Sequence, residues 1–436
     1  MTDVRRTVDD NRITLYKYDT DRFKGENLSI YFSLPTRRER SVARSLLLAV
    51  LKRGTEKYPS QKHINERLDE LYATLVDLKN QKFDDAQLLG VSADVIYSSY
   101  TDNGYDLLPD ALEVASQLLF HPARDESTGE LLGEYLKSEK ENYKSIILSQ
   151  INEPRTYAAI RCREEMFYSL GIIDKLDTMC QKIDAVTIED IRECYREMLE
   201  EAKMLVFYVG KRSDEDLKEQ ILGILSDKQI GERVQNNKNI KMLEPVLEPK
   251  IIIEESELSQ SRLVIGFDCR ATWRDEDYYA MLLCNEIFGA SPTSKLMMNV
   301  RERLSLCYEC SSVYNSARGA IFATIGIDKE NYGLAKNAIL SELEDIKRGN
   351  VTDAELDAAK KSIYNVYSSL CDSPDAIERF YLGRLINGVD VDIAEFLTKI
   401  NSLTLKDVMN AASKITPHTL FFLCGNGDGE EDELYE

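Results

Sequence analysis

Gly289-Ala290-Ser291-Pro292-Thr293-Ser294-Lys295-Leu296-Met297-Met298-Asn299-Val300-Arg301-Glu302-Arg303-Leu304-Ser305-Leu306-Cys307-Tyr308 is the stretch from which the rest of the chain is read. Gly289 and Pro292 are turn formers, and Ser291, Thr293 or Ser294 can cap a helix whose apolar positions are Leu296, Met297, Val300 and Leu304. The stretch therefore reads as a loop feeding a helix from Thr293 to Leu306. Arg301 and Tyr308 stand about two helical turns apart, so on a continuous helix they point the same way to within roughly 20°. A guanidinium fork beside a phenol can grip a peptide carbonyl or an anion. Residue types alone leave a plainer reading open, a surface Arg next to a half-buried core Tyr.

Working outward, an apolar helix is expected over Tyr278–Phe288 and strands over Leu263–Phe267, Ala320–Ile327 and Thr419–Cys424. Thr352-x-x-Glu355 is a capping box, Pro374 opens a further helix, and Thr404 introduces the last one. The first part of the chain carries the same order. Strand-like runs at Ile13–Tyr18 and Leu28–Phe32, expected as an antiparallel pair, precede an almost wholly apolar helix at Val42–Leu51. Gly54 ends that helix, a second follows to Tyr72, and strands are expected at Thr74–Asn80 and Gln87–Ile96. Then come helices, one opened by Pro154 and one by Thr187, and a strand from Met204 to Val209 before Gly210.

Subtraction makes the repetition testable. Gly54 pairs with Gly289 at an offset of 235, Tyr72 with Tyr308 at 236, Pro154 with Pro374 at 220, Thr187 with Thr404 at 217 and Gly210 with Gly425 at 215. After the second pair the offset drifts in one direction, from 236 to 215, which two copies of one module of ~200 residues produce after modest length changes. The expected fold is α+β: two tandem homologous halves, each a mostly antiparallel sheet packed with helices, facing each other across a cleft. The expected divisions are 1–228, a polar linker at 229–250, 251–425 and an acidic tail at 426–436.

Composition narrows the function. A chain of 436 residues with 43% hydrophobic and 30% charged residues has a sizeable core, and no apolar run approaches the ~20 residues of a membrane span. A net charge of −21 without a basic stripe argues against nucleic acid. The N-terminus has no apolar signal segment, and nine cysteines, beginning at Cys162, suggest free thiols rather than a disulfide framework. A cytoplasmic location is expected. Cys307 and Cys310 form a lone Cys-x-x-Cys with no second pair, so a zinc or redox role there is a minor alternative.

The order of strand, apolar helix, Gly54-Thr55, and later Ser294-Lys295-Leu296, Val300-Arg301-Glu302 and Leu306-Cys307-Tyr308 resembles the pitrilysin/insulinase superfamily of zinc peptidases, especially its small bacterial members related to mitochondrial processing peptidase. The similarity covers about residues 12 to 425. The family's inverted motif, His-x-x-Glu-His, places two His on one helical face as zinc ligands, with the Glu activating the bound water. With Gly54 fixing the register, the His positions fall on Ser45 and Ala49, the base on Leu48, and a distant ligand near Ile146. Every functional group is lost there, so no metal is expected in this chain. His63, His121 and His418 are isolated from one another and from motif-spaced carboxylates.

The resemblance implies that the chain is the non-zinc subunit of a heterodimeric metalloendopeptidase, inactive alone, whose homologous partner carries zinc. Arg301 and Tyr308 are the expected catalytic pair: Arg301 binds substrate carbonyl oxygen and Tyr308 donates to the developing oxyanion. Gly289, Ser291 and Ser294 are expected to join them in binding peptide. Peptide processing or leader-peptide trimming is the expected task. The rival reading is a peptide-binding or scaffold homologue without catalysis.

Overall fold

The computed structural model describes residues 4–9, 13–83, 86–125, 131–225, 242–386, 389 and 391–425. The expected acidic tail at 426–436 lies outside these residues, as does the expected linker up to residue 241.

The strands are β1 (Val4–Asp9), β2 (Ile13–Asp19), β3 (Gly25–Pro35), β4 (Leu75–Phe83), β5 (Ala86–Ile96) and β6 (Lys203–Gly210). Later come β7 (Lys250–Ser256), β8 (Ser261–Asp268), β9 (Cys310–Asn315), β10 (Ala320–Ile327) and β11 (Thr416–Gly425). The first helices are α1 (Ser41–Leu51), α2 (Gln61–Glu70), α3 (Leu108–Phe120), α4 (Gly133–Ile151) and α5 (Pro154–Phe167). They are followed by α6 (Leu176–Ala185), α7 (Ile188–Glu200), α8 (Asp214–Leu225) and α9 (Tyr278–Asn285). The remaining helices are α10 (Tyr332–Lys347), α11 (Asp353–Ser369), α12 (Pro374–Ile386), α13 (Ile393–Ser402) and α14 (Leu405–Ser413). Two wide-turned, π-helical segments, Glu286–Ala290 and Leu296–Arg303, sit between α9 and β9.

Contacts divide the chain into two compact units of discontinuous segments. One draws on 1–145, 179–239 and 369–392, the other on 146–178, 240–368 and 393–436. In the first, the sheet order is β1-β2-β6-β3-β5-β4. β2 and β3 are therefore not the adjacent antiparallel pair that their sequence suggests. β6 lies between them, parallel to β2 and antiparallel to β3. Two runs close in sequence could pair as a hairpin, but here the connection steps across one strand position and leaves room for β6. In the second unit the order is β7-β11-β8-β10-β9, and β11 is parallel to β7 and antiparallel to β8. Apart from β1, the two sheets share one topology, as the expected duplication requires.

The α+β fold with two related halves is thus present, and its paired landmarks coincide. Thr187 and Thr404 both complete capping boxes, with Asp190 and Asp407. Pro154 and Pro374 each take the first position of a helix, where the missing N–H costs nothing. Gly210 and Gly425 each close a strand.

α5 packs on β8 and β11, giving a core of Ala158, Cys162, Met166, Phe167, Val264, Phe322 and Phe421. The approach is close enough that a Cβ at Gly266 would lie 2.2 Å from Met166 Sδ. Its counterpart α12 packs on β3 and β6. There it buries a carboxyl: Glu378 Oε1 accepts from Tyr31 Oη at 2.5 Å and Oε2 from Ser29 Oγ at 2.7 Å. Burial pushes Glu378 up to about 7 against the opposing pull of these hydrogen bonds. Its folded-state pKa thus exceeds the ordinary value of 4.5, so its contribution to stability is full below that value and is lost as pH rises through 7. Glu378→Gln cannot ionise, and is expected to gain about 1–3 kcal/mol on the parent between roughly pH 5 and 8. Urea unfolding across that range checks it, and parallel curves for the two proteins would refute it.

Candidate functional site

The chain around Gly289 is packed rather than open. A Cβ on Gly289 would lie 2.7 Å from both Leu296 Cδ1 and Ser312 Oγ, so only glycine lets β9 and the helical segment close on this point. Ser291 and Ser294 are buried as well, at 4% and 1% exposure. The helical segment starts at Leu296, preceded by Lys295, and no side-chain oxygen caps it. The expected caps Ser291, Thr293 and Ser294 serve otherwise: the Ser291 carbonyl accepts from Ser294 N, and the Ser294 carbonyl from Met298 N. Lys295 anchors the segment through an ion pair with Glu355 at 2.9 Å, and Asn299 Nδ2 donates to Glu342 at 2.7 Å.

Arg301 and Tyr308 do not share one continuous helix. The helical segment ends at Arg303, and Ser305 adopts φ +52°, a left-handed conformation that breaks the ladder of backbone bonds. Arg301 therefore belongs to the last turn and Tyr308 to the loop that enters β9. Arg301 has a side chain 40% exposed, its Nη1 3.2 Å from Glu302. Tyr308 is 86% exposed, and among the described residues nothing hydrogen-bonds its hydroxyl.

What steadies this exposed phenol is its neighbour. Glu309 is clamped between Arg155 Nη1 at 2.9 Å and Arg262 Nη1 at 2.8 Å, and its carbonyl accepts from Gly326 N. Arg155 comes from α5, 154 positions away, so no local pattern could have revealed the clamp.

The helix α1 carries Ser45, Leu48 and Ala49. Ser45 Oγ donates to the Ser41 carbonyl at 3.0 Å and accepts from Asn80 Nδ2 at 2.9 Å. Lys82 donates to Ser41 and Lys52 pairs with Asp77, so this face of α1 is stitched to β4 by hydrogen bonds. Leu48 is buried, and Ala49 offers no donor atom. A hydroxyl, an isobutyl and a methyl do not make a zinc site.

Ile146 is 55% exposed on α4. On the same helix the Glu139 side chain is only 12% exposed and lies 3.4 Å from Arg53. The three histidines stand apart, His63 beside Ser60, His121 beside Glu56 and His418 beside Thr419. Among the described residues no group of His, Cys, Asp and Glu side chains is placed to hold a metal ion. Nor, among them, is any helix long and apolar enough to cross a membrane.

Comparison with known proteins fits this geometry. Residues 185–363 match the family model described as the peptidase M16 inactive domain. The chain is 26% identical to the "Probable inactive metalloprotease YmfF" of Bacillus subtilis over 427 residues, covering 95% of this chain and 96% of that one. It is 21% identical to the "Uncharacterized zinc protease YmxG" of the same organism, over 70% of this chain and 72% of the other. Among solved structures, a conserved protein from Enterococcus faecalis superposes with a TM-score of 0.86 at 24% identity, covering 98% of this chain and 99% of that chain. A peptidase M16 inactive domain from Pseudomonas fluorescens gives 0.77 at 16% identity, over 97% and 98% of the two chains. These structural likenesses establish the fold.

Proposed function

Because this chain is an inactive-type M16 homologue of the pitrilysin/insulinase superfamily, we propose that it serves as the non-zinc subunit of a heterodimeric zinc metalloendopeptidase. Its homologous partner carries the His-x-x-Glu-His site, and the pair processes peptides or trims leader peptides. When bound by the partner, zinc supplies a Lewis acid and an activated water. This chain's residues do the rest. Arg301 donates to a substrate carbonyl oxygen, and the Tyr308 hydroxyl donates to the oxyanion that develops as the peptide carbonyl becomes tetrahedral. The observation that carries the reading is Tyr308 itself: a phenol 86% exposed, free of any hydrogen-bond partner among the described residues, on a loop whose next residue is held by two arginines.

A recess of about 500 Å³ between α3 and α8, lined by Glu113, Gln117, His121 and Glu219, lacks the convergent apolar walls of a small-molecule site. The free cysteines support a reducing, cytoplasmic setting.

The test is to mix the purified chain with a zinc-bearing homologue from the same genome and assay a peptide library with each protein alone and together. Cleavage only in the mixture is the expected outcome. Full activity of the zinc-bearing chain alone would refute the reading and leave the scaffold alternative.

A further inference from the structure

The two sheets differ at one edge. In the first unit β2 is covered on its outer side by β1, which runs antiparallel to it from Val4 opposite Tyr18 to Asp9 opposite Thr14. β7 is the counterpart of β2, since each lies parallel to the strand that closes its sheet's duplicated part, β11 or β6. Among the described residues no strand lies outside β7. Burial records the difference. Thr14, Leu15, Lys17 and Tyr18 of β2 are buried, whereas no residue of β7 is. Ile251 and Ile253 are 55% and 59% exposed, on a strand whose outer N–H and C=O groups have no ladder partner among the described residues. Such an edge is a template for one more strand, and the first unit shows that this position accepts one running antiparallel.

We propose that the strand missing from this edge is β7 of a second copy of the chain, so that the two five-stranded sheets join edge to edge across a two-fold axis at Ile252. The sequence Lys250-Ile251-Ile252-Ile253-Glu254 is complementary to itself when reversed. Paired antiparallel about Ile252, the two strands set Ile251 of each copy against Ile253 of the other on one face, and Lys250 against Glu254 on the opposite face. Directly opposed side chains in such a pair lie on the same face with Cβ atoms about 4.5–5.5 Å apart, so Ile251 and Ile253 of both copies form one apolar cluster. Ile253 is in register with Phe422, whose ring lies 4.7 Å from that of Tyr332, so the cluster continues an aromatic layer in each copy. Ile252, which packs against the α5 core, meets its own counterpart at the axis. Lys250 and Glu254 already pair within the chain, with Glu165 and Arg161. Across the axis they complete a row of alternating sign, Glu165, Lys250, Glu254 and Arg161. Sliding the register by two residues one way sets Ile251 against Glu255 and Ile252 against Glu254, and the other way sets Lys250 against Ile252. The isoleucines therefore supply the burial and the charges select the register. This contact uses copies of this chain only and does not rest on the zinc-bearing partner proposed above.

The test is sedimentation velocity on the full chain over a concentration series, at about 0.15 M salt to screen the net charge of −21 on each copy. A species of 49.8 kDa is expected to give way to one of twice that mass as concentration rises. Ile253→Lys places a charge against Ile251 of the other copy, twice per dimer, and is expected to raise the dissociation constant about tenfold or more. Val313→Lys is the control. Val313 is 63% exposed on β9, the strand at the other end of the same sheet, and its replacement is expected to leave the dimer unchanged. Both positions are exposed, so both variants should fold, which circular dichroism checks. The register is read by cross-linking. On oxidation with copper–phenanthroline, a mixture of Ile251→Cys and Ile253→Cys chains is expected to give a disulfide-linked dimer joined through the tryptic peptide 251–262, well above either variant alone or the parent. A single 49.8 kDa species at every concentration would overturn the proposal, and slow amide hydrogen exchange along β7 in that monomer would assign the edge to another segment of the same chain. Equal weakening by Val313→Lys, or cross-linking as strong in either cysteine variant alone, would overturn it too.

Discussion

Replacing Tyr308 with Phe is expected to lower the turnover of the proposed two-chain enzyme by about 10²–10³-fold, the usual cost of removing one oxyanion donor. The substitution deletes a single hydroxyl and keeps the ring. Tyr308 is 86% exposed and its hydroxyl has no partner among the described residues, so the fold loses nothing by it. Surface changes of this kind shift stability by no more than roughly 0.5 kcal/mol. An interaction made only in the transition state lowers kcat and kcat/KM together and leaves KM alone, which separates this role from simple peptide binding. The measurement is steady-state kinetics on the mixture, with size-exclusion chromatography to confirm that the complex persists. Turnover within about twofold of the parent would remove Tyr308 from the chemistry.

The sequence made the duplication legible because its marks are local and chemical. A capping box at Thr187 and Thr404, a proline at the first turn of α5 and α12, and a glycine closing β6 and β11 each state their structural role within a few residues. Strand order was not legible in that way. The runs at β2 and β3 carry the composition of a pair, and only the later arrival of β6 separates them. Nor does sequence distance say which sheet a helix covers: α5 and α12 each join a unit otherwise built from distant segments. Helix α10 escaped because Tyr332-Gly333 opens it without a side-chain cap, so no start signal marks it. At the candidate site, residue types pointed to Arg301 and Tyr308 but not to their geometry. One residue in the left-handed region, Ser305, moved Tyr308 from a helix face to a loop. The Arg155 and Arg262 clamp on Glu309 joins three segments and has no linear signature.

The largest expected loss of stability lies in α1. Its apolar sequence hides one charge, Arg44, which is 1% exposed. Arg44 Nη1 donates to the Pro35 carbonyl at 2.8 Å and to Gln87 Oε1 at 3.3 Å, and Nη2 donates to Glu197 Oε2 at 3.3 Å. Glu197, on α7, also lies 3.6 Å from Arg40 and 3.9 Å from Arg37. Burial lowers the pKa of Arg44 while Glu197 raises it, but a guanidinium does not give up its proton in a protein. Deleting Glu197 therefore leaves a buried charge without a counter-ion. Glu197→Ala is expected to cost about 3–5 kcal/mol, a large part of the ~5–15 kcal/mol that holds a domain together. Glu197→Gln keeps an acceptor and loses only the charge, so its cost should be smaller. Replacing the pair together, as Arg44→Met with Glu197→Leu, should recover most of the loss, because the penalty comes from the unpaired charge rather than from a missing contact. Urea unfolding of these variants and the parent measures all of this, with Arg44→Met and Glu197→Leu as the single variants that close the double-mutant cycle. A cost below about 1 kcal/mol for Glu197→Ala would mean that water reaches Arg44 and that α1 is held by its apolar face alone.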